Sequence, residues 1–351
     1  MMHDRNFTAS GVAIQLNAAR LLDQLCSHLG EHVTITRSAE GAHLETVIGS
    51  ADIALSPNRL DIKLRCPTAS MLFTVRSMVA EHLFELSGGE GLDLRWADGP
   101  QTKTIPDFRE ATLVSARNIT PRMRRVTLAV DDTAHFADGG LHLRILIPPA
   151  GRAPVWPQAE PNGRIGWPKG DDTLTIRAYT IRTLDLTRRE LEIDFVLHEG
   201  ADVPGASWAL NARNGDIVGL IGPGGGGVPQ AKRMILAGDE TALPAIARIA
   251  AAVPAETELR VYLEVADKEE EQTFVTAGAL DVTWFHRDGA EAGTTGRLER
   301  LLRDIVPAAD PSTFVWAACE QAEARAIRNF MKTEIAGDRT GFSIAAYWQR
   351  H

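Results

Sequence analysis

The chain has 351 residues, 44% of them hydrophobic and 24% charged, with a formal net charge of -9; this predicts two or three soluble globular domains and speaks against nucleic-acid binding, which needs a basic surface. Three cysteines, Cys26, Cys66 and Cys319, lie far apart with no CxxC pair, which argues against a disulfide framework or a structural zinc site and for a reducing compartment. No apolar run approaches the roughly 20 residues that span a bilayer, and the start Met1-Met2-His3-Asp4-Arg5-Asn6 lacks an apolar signal core, so the expectation is a cytoplasmic protein without membrane insertion, a monomer or weak dimer.

Val12 and Ile14 open a short strand. Asn17 is placed to cap a helix whose apolar residues Ala18, Leu21, Leu22, Leu25, Cys26 and Leu29 recur at three- and four-residue steps, with Gly30 as its stop. Short alternating runs over 32–37, 43–48, 51–55 and 60–64 predict strands. A second helix carries Met71, Leu72, Val75, Met78, Val79, Leu83 and Leu86 on one face and ends at Ser87-Gly88-Gly89. His82, beside that stripe, reads as a partly buried histidine, because no second metal-type residue stands four positions away. Residues 1–98 thus form a small α+β domain, and the polar, turn-rich stretch 91–106 predicts a linker.

From 107 to 228 short β-branched runs at 111–115, 125–130, 141–147, 173–182 and 191–197 predict an antiparallel β-barrel, interrupted by a Pro-, Gly- and Trp-rich loop over 148–170. From 229 to 351 strands alternate with helices: strands at 234–237, 258–264, 282–285 and 313–317, helices at 241–252, 295–304 and 321–334. That pattern predicts an open parallel α/β sheet covered on both faces. The fold class is a multidomain combination of these three parts.

The chemistry-bearing strand is Thr173-Leu-Thr-Ile-Arg-Ala-Tyr-Thr-Ile-Arg182. Alternation puts Leu174 and Ile176 on one face, and Arg177 with Tyr179 on the other. A permanent cation suits a pyrophosphate, an aromatic ring suits a planar heterocycle, and the Thr180 hydroxyl suits a ring nitrogen. An ordinary amphipathic strand with an exposed arginine fits these residues too. Pro204-Gly-Ala-Ser-Trp208 opens a short helix, where Gly205 allows close backbone approach and Ser207 adds a hydroxyl beside free amides; a plain capped helix is the simpler account. Gly222-Pro-Gly-Gly-Gly-Gly227 is neither a P-loop nor a GxGxxG fingerprint, and reads as a hinge. The strand 234–237 runs into Gly238-Asp-Glu-Thr-Ala-Leu-Pro244, where Thr241 is placed to cap the helix and Pro244 fits its first turn, so a dinucleotide phosphate suits this place. Val315-Trp-Ala-Ala-Cys-Glu320 ends at the same edge, with Cys319 either near a nicotinamide or an inert thiol.

Taken in order, Arg177-Ala-Tyr-Thr180 with Arg182, Asp194-Phe-Val-Leu-His198, Gly205-Ala-Ser-Trp208, Gly222-Pro-Gly-Gly225, Gly238 to Ala245, Ala318-Cys-Glu320 and Tyr347-Trp-Gln-Arg350 resemble the siderophore-interacting proteins, FAD-dependent ferric-siderophore reductases of the ferredoxin-reductase-like superfamily. The first ninety-odd residues resemble a small domain of unknown function (DUF2218-like) sometimes fused in front of such reductases. The resemblance implies FAD bound by Arg177 at the pyrophosphate, Tyr179 on the isoalloxazine and Thr180 near N5. It also implies contacts from Asp194, Val196, His198, Gly205, Ala206, Ser207 and Trp208. Asp239, Thr241 and Ala242 would receive NADPH or NADH, Glu320 would border the nicotinamide, and Tyr347 and Trp348 complete the cofactor set. The family's habits favour NADPH, with Arg260, Arg287 or Lys268 as cations for the 2′-phosphate. Arg144 and Arg350 are the candidates for an anionic ferric siderophore, and no residue is expected to ligate metal. Two departures stand out: Cys319 where the family has glycine, and no basic tail after Trp348. The implied activity is NAD(P)H-dependent reduction of a ferric siderophore with release of Fe(II). Its rivals are a flavoprotein reductase for free flavin, a quinone or a redox protein, and a non-catalytic siderophore-binding protein.

Overall fold

The computed structural model describes residues 7–30, 33–88, 91–97, 103–197, 204–335 and 341–350. Two compact units divide the chain: Met1–Phe108 with Val155–Thr173, and Arg109–Pro154 with Leu174–His351.

The first unit begins with β1 (Phe7–Ile14), α1 (Ala18–Leu29), β2 (Thr34–Ser38), β3 (Gly41–Thr46), β4 (Gly49–Ser56), β5 (Arg59–Cys66), α2 (Ala69–Leu86) and β6 (Asp93–Trp96). Its strands form one antiparallel sheet in the order β2-β3-β4-β5-β1-β6. Alternation decides the buried face: Leu60, Ile62, Leu64 and Cys66 of β5 all point inward. Leu21, Leu22, Leu25 and Leu29 of α1, and Val79, Ala80 and Leu83 of α2, pack on the same core. Four details differ from expectation. The Asn17 side chain makes no capping bond, and Gly30 ends α1 in right-handed geometry, so the apolar stripe rather than its caps holds that helix. Thr68 caps α2 by accepting from the Met71 amide at 3.1 Å. Met78, expected in the apolar stripe, is 46% exposed, while Ser77 and Ala80 are buried; α2 is apolar nearly all round, so spacing locates its buried face poorly. The expected linker contains β6, whose Leu94 and Trp96 are buried; four residues give too few alternations to read. Gly89 lies outside the described residues.

The chain continues through β7 (Phe108–Thr120), β8 (Met123–Ala129) and β9 (His142–Ile147). It then passes through β10 (Gln158–Ala159) and β11 (Ile165–Gly166), a short antiparallel hairpin belonging to the first unit. It returns as β12 (Thr175–Thr180), β13 (Thr183–Asp185), β14 (Glu190–Val196), α3 (Pro204–Asn211) and β15 (Ile217–Gly224). The seven-stranded sheet has the order β12-β9-β15-β7-β8-β14-β13. Its far members meet: the Tyr179 ring on β12 lies 4.2 Å from Phe195 on β14, and Phe195 lies 5.6 Å from Trp208 of α3. The sheet therefore curls into a barrel, filled by residues such as Leu113, Val126, Leu143, Ile145, Ile193 and Leu220. The glycine run expected as a hinge begins inside β15, a strand seated between β9 and β7. Without side chains to alternate, Gly222–Gly224 gives no periodic sign of it.

The remainder comprises β16 (Arg233–Gly238), α4 (Leu243–Ala252), β17 (Glu258–Val265), β18 (Ala279–His286), α5 (Arg297–Ile305), β19 (Phe314–Glu320), α6 (Gln321–Phe330) and β20 (Phe342–Trp348). The strands are parallel, in the order β18-β17-β16-β19-β20. Met234 and Leu236 of β16 enter one core with Ile246 and Ile249, while Ile235 and Ala237 enter another with Leu298, Leu302 and Ile327. Burial on both faces explains the continuous apolar run. The order reverses between β16 and β19, the topological switch point where open α/β sheets bind ligands. β20 has no counterpart among the expected strands; the expected helix to 334 ends as α6 at Phe330, followed by a wider helical turn over Met331–Ile335. Barrel and parallel sheet are joined by polar bonds. Arg248 donates to the carbonyls of Leu141 (2.9 Å) and Ile181 (3.2 Å). The buried Glu270 carboxylate accepts from Thr120 Oγ1 (2.5 Å) and the Arg122 amide (2.8 Å). Among the described residues no helix is long and apolar enough to cross a membrane.

Candidate functional site

β12 pairs with β9 so that Thr180 opposes His142, Ala178 opposes Arg144 and Tyr179 opposes Leu143. Opposed residues share a face. Buried Thr180 therefore stands with His142 and the exposed Arg144 on the outer surface, and Tyr179 turns with Leu143 towards the barrel core. The Tyr179 hydroxyl presses on the first turn of α3, where a Cβ on Gly205 would lie 2.0 Å from it. Only glycine leaves that room. Burial pushes the phenol up to about 12, so it stays neutral at ordinary pH. Arg177 is exposed, with one of its five donors on the Ile176 carbonyl at 2.8 Å. Ala206 is buried, Ser207 is exposed, and Trp208 packs on Phe195. An open guanidinium on β12, and a helix start that Tyr179 ties to that strand, fit the anionic backbone of a dinucleotide. His198 lies outside the described residues.

Asp194 does different work from that expected. It opposes Arg125 across the β14–β8 ladder, and its fully buried carboxylate takes two bonds from that guanidinium, at 2.6 and 2.8 Å. Arg182 stands 3.7 Å away. The carboxylate is committed inside the protein, holding the outer face of the barrel. Val196, two residues on, lines a cavity of about 540 Å³ together with Leu197, Glu240, Asp267, Arg287 and Trp348.

That cavity lies at the switch point. Asp239 is buried at the end of β16 and accepts from the Thr241 amide (2.9 Å), the Thr241 hydroxyl and Trp348 Nε1 (2.7 Å). Thr241 is thus spent on Asp239, and Ala242 occupies the cap position of α4. Desolvation, followed by the neighbouring Glu240 carboxylate, pushes Asp239 up to about 6. Glu240 itself is bound by both terminal nitrogens of Arg287, a pair whose side chains are only 7% and 5% exposed. Glu320 caps α6 by accepting from the Ala322 amide at 2.6 Å, and also receives the Arg350 amide at 3.4 Å. Tyr347 meets His142 Nε2 at 2.6 Å, tying β20 to the outer face of β9. Cys319 is buried on the α5–α6 side, and desolvation drives its thiol far above the usual range, so it is the inert alternative that holds. Among the described residues no group of three His, Cys, Asp or Glu stands close enough to hold a metal ion.

Two of the three expected phosphate cations are placed otherwise. Arg260 is the third residue of β17, at the opposite end of the sheet from the switch point, and Arg287 is consumed by Glu240. Lys268 is exposed beside Asp267. Glu240, Glu270, His142 and Arg125 have no role in the sequence reading; an acidic pair, Asp239-Glu240, directly after an apolar strand is the signal available for Glu240.

Gly205→Ala should destabilise the protein by about 1–3 kcal/mol, the usual cost of overpacking, in urea unfolding. Adding Tyr179→Phe, which deletes the obstructing oxygen, should recover part of the loss; no recovery would refute the contact. For Asp239 the folded value near 6 lies above the ordinary 3.8, so the folded state holds this proton more tightly than the unfolded chain. Its stabilising contribution is complete below about pH 4 and is lost as pH rises through about 6. The stability difference between Asp239→Asn and the parent should therefore shift in favour of the variant across that window, and a constant difference would contradict the assignment.

Three family models match: the siderophore-interacting FAD-binding domain over residues 112–227, the siderophore-interacting protein model over 231–351, and a domain described as an uncharacterized protein conserved in bacteria (DUF2218) over 11–97. Ferric vibriobactin reductase ViuB of Vibrio cholerae is 30% identical over 242 residues, covering 68% of this chain and 88% of that protein. The crystal structure of a siderophore utilization protein from T. fusca aligns with a TM-score of 0.57 and 34% identity, over 69% of this chain and 93% of that one. The siderophore-interacting protein SipS from Aeromonas hydrophila aligns with a TM-score of 0.56 and 26% identity, over 70% and 92%. With a flavin-type barrel, a parallel sheet at its side and these matches across both, the chain belongs to the siderophore-interacting protein family.

Proposed function

We propose that this chain is a cytoplasmic FAD-dependent NAD(P)H:ferric-siderophore oxidoreductase. The observation that carries the reading is the His142–Tyr347 bond: it joins the outer face of β9, where Thr180 stands opposite, to the strand whose Trp348 reaches Asp239 at the switch point. In this reading the contact adds to the Arg248 and Glu270 bonds in holding a flavin site on the barrel beside a nicotinamide site in the crevice. Residues 107–228 then serve FAD and 229–351 serve the nicotinamide nucleotide, with 1–98 as a separate domain.

In this reading Arg177 neutralises the pyrophosphate, and the first turn of α3, from Gly205 to Ser207, offers amides and a hydroxyl to the same group. Thr180 presents its hydroxyl at the flavin edge, and the inward-turned Tyr179 keeps β12 and α3 in register. Bound FAD supplies the step between a two-electron hydride donor and one-electron Fe(III), and iron leaves because hard oxygen ligands hold Fe(II) far less tightly. Trp348 and Glu320 bound the crevice, while Arg144 and Arg350 offer exposed positive charge to an anionic chelate.

The crevice supports NADH as the donor rather than the NADPH suggested by resemblance. Asp267 follows β17, the strand next to β16, where an acidic residue accepts the ribose hydroxyls and repels a 2′-phosphate. Steady-state kinetics should give a kcat/KM for NADH at least about tenfold above NADPH, and Asp267→Ser should narrow it; a preference for NADPH in the parent would overturn this choice.

The test of the main reading is anaerobic. Purified protein should be yellow, bleach on addition of NADH or NADPH, and recolour fastest with ferric siderophores in a panel that includes free flavin, quinones and redox proteins. Faster recolouring by one of those acceptors would replace the proposal. Arg177→Ala, which removes a charge-assisted bond of about 1.5–3 kcal/mol, should weaken FAD binding by about 10- to 100-fold in equilibrium titration.

A further inference from the structure

We propose that Arg122 is the cation that receives the diphosphate of the nicotinamide nucleotide, carried into the crevice of the parallel sheet by the turn between β7 and β8 of the barrel. The proposal deepens the function given above and rests on its donor being such a nucleotide.

Thr120 and Met123 face each other across the β7–β8 ladder, so Pro121 and Arg122 form the turn. The pyrrolidine ring fixes φ at Pro121, and both backbone groups of Arg122 are bonded. Its amide donates to Glu270 Oε1 at 2.8 Å, and its carbonyl accepts from the Leu197 amide at 2.8 Å. Met123, next in the chain, is fully buried and pairs with Val196. Glu270 follows the last residue of β17, Val265, by five positions. The turn is therefore seated at the carboxyl end of the sheet, where open α/β sheets take their ligands. Every one of these residues belongs to the second compact unit.

The backbone of Arg122 is thus committed, while its side chain is not. Arg122 is exposed and lines the cavity of about 540 Å³ at the switch point. Among the described residues no hydrogen bond or ion pair engages its guanidinium. The rest of the wall gives that cation its importance. Asp267, Asp288 and Glu291 line the same cavity, and their field opposes an incoming anion. Arg287, the other cation there, is held by Glu240 through both terminal nitrogens and has Glu264 3.9 Å away. Its charge is already matched.

A cavity of this size suits a nucleotide-sized ligand. Carboxylates suit ribose hydroxyls but repel the two negative charges of a diphosphate. An unengaged guanidinium supplies paired N–H donors that match phosphate oxygens. Because the turn beneath it is pinned at amide and carbonyl, only the side chain has to be ordered on binding.

The test measures equilibrium binding of ADP-ribose, which carries the diphosphate without the nicotinamide, to the full chain as purified. Arg122→Ala should weaken it by about 10- to 100-fold, as expected for losing a charge-assisted bond. Arg122→Lys should weaken it less, because the charge stays and the planar fork is lost. Added salt should weaken binding to the parent more steeply than binding to Arg122→Ala. Binding of 2′-AMP, whose phosphate is not part of the diphosphate, should be the same in parent and variants. KM for NADH should rise with kcat retained, and flavin absorbance per chain should equal the parent's. Equal ADP-ribose affinity in parent and Arg122→Ala would overturn the proposal. So would a loss confined to 2′-AMP, which makes Arg122 a 2′-phosphate ligand, or a loss of flavin together with nucleotide, which marks a structural role. A parent that binds no ADP-ribose overturns it too, and bleaching by NADH or NADPH then decides the proposed function separately.

Discussion

Closure of the barrel by Phe195 governs the rest of the second unit. β12 is an edge of the seven-stranded sheet, and its ladder to β9 sets the register of Arg177 and Thr180. Phe195 packs that edge strand against the far side of the sheet by contacting Tyr179 on one side and Trp208 on the other. One ring thereby locates both the strand and the helix start that the FAD reading needs. The glycine at 205 is the steric counterpart of that contact, because Tyr179 occupies the volume that any larger residue would fill.

Charge is organised differently in the barrel and in the crevice. On the barrel, the Arg125–Asp194 pair spends a buried carboxylate on holding two strands together. In the crevice, Asp239, Glu240 and Glu264 are all buried, and Arg287 is the cation set among them. Buried pairs of this kind add little net stability, since desolvation offsets most of the attraction, but losing one partner is costly. Their effect is to hold the floor of the cavity in one arrangement before any nucleotide arrives. Burial first, and the like charge of Glu240 second, push the Asp239 carboxyl up to about 6.

Much of this architecture is legible in the sequence, for identifiable reasons. The parallel sheet announces itself through Met234–Ala237, because burial on both faces demands an unbroken apolar run. The N-terminal strands show period-two alternation, cleanest in Leu60, Ile62, Leu64 and Cys66. The elements that stay hidden lack such periodicity: β6 is too short, β15 ends in glycines, and the outward residues of β20 do not contrast with its buried Ile344. In the proposed reading, Arg177, Thr180, Asp239 and Trp348 are the residues to which motif order points. Asp194 and Thr241 depart from their expected roles because they meet side-chain partners from distant strands or the adjoining turn, which linear spacing does not reveal. Arg287 reads as a phosphate ligand in the bare sequence because its carboxylate partner lies 47 positions upstream.

Glu270 has a bearing on how such proteins can be recombined. Its carboxylate sits at 2% exposure and satisfies the Thr120 hydroxyl and the Arg122 amide at once. A chimera that grafts the barrel of one homologue onto the sheet of another would strand this acid opposite an unmatched turn, unless residues 120–122 travel with it. The two halves are matched by separate family models, over 112–227 and 231–351, yet in this chain they share that distant trio.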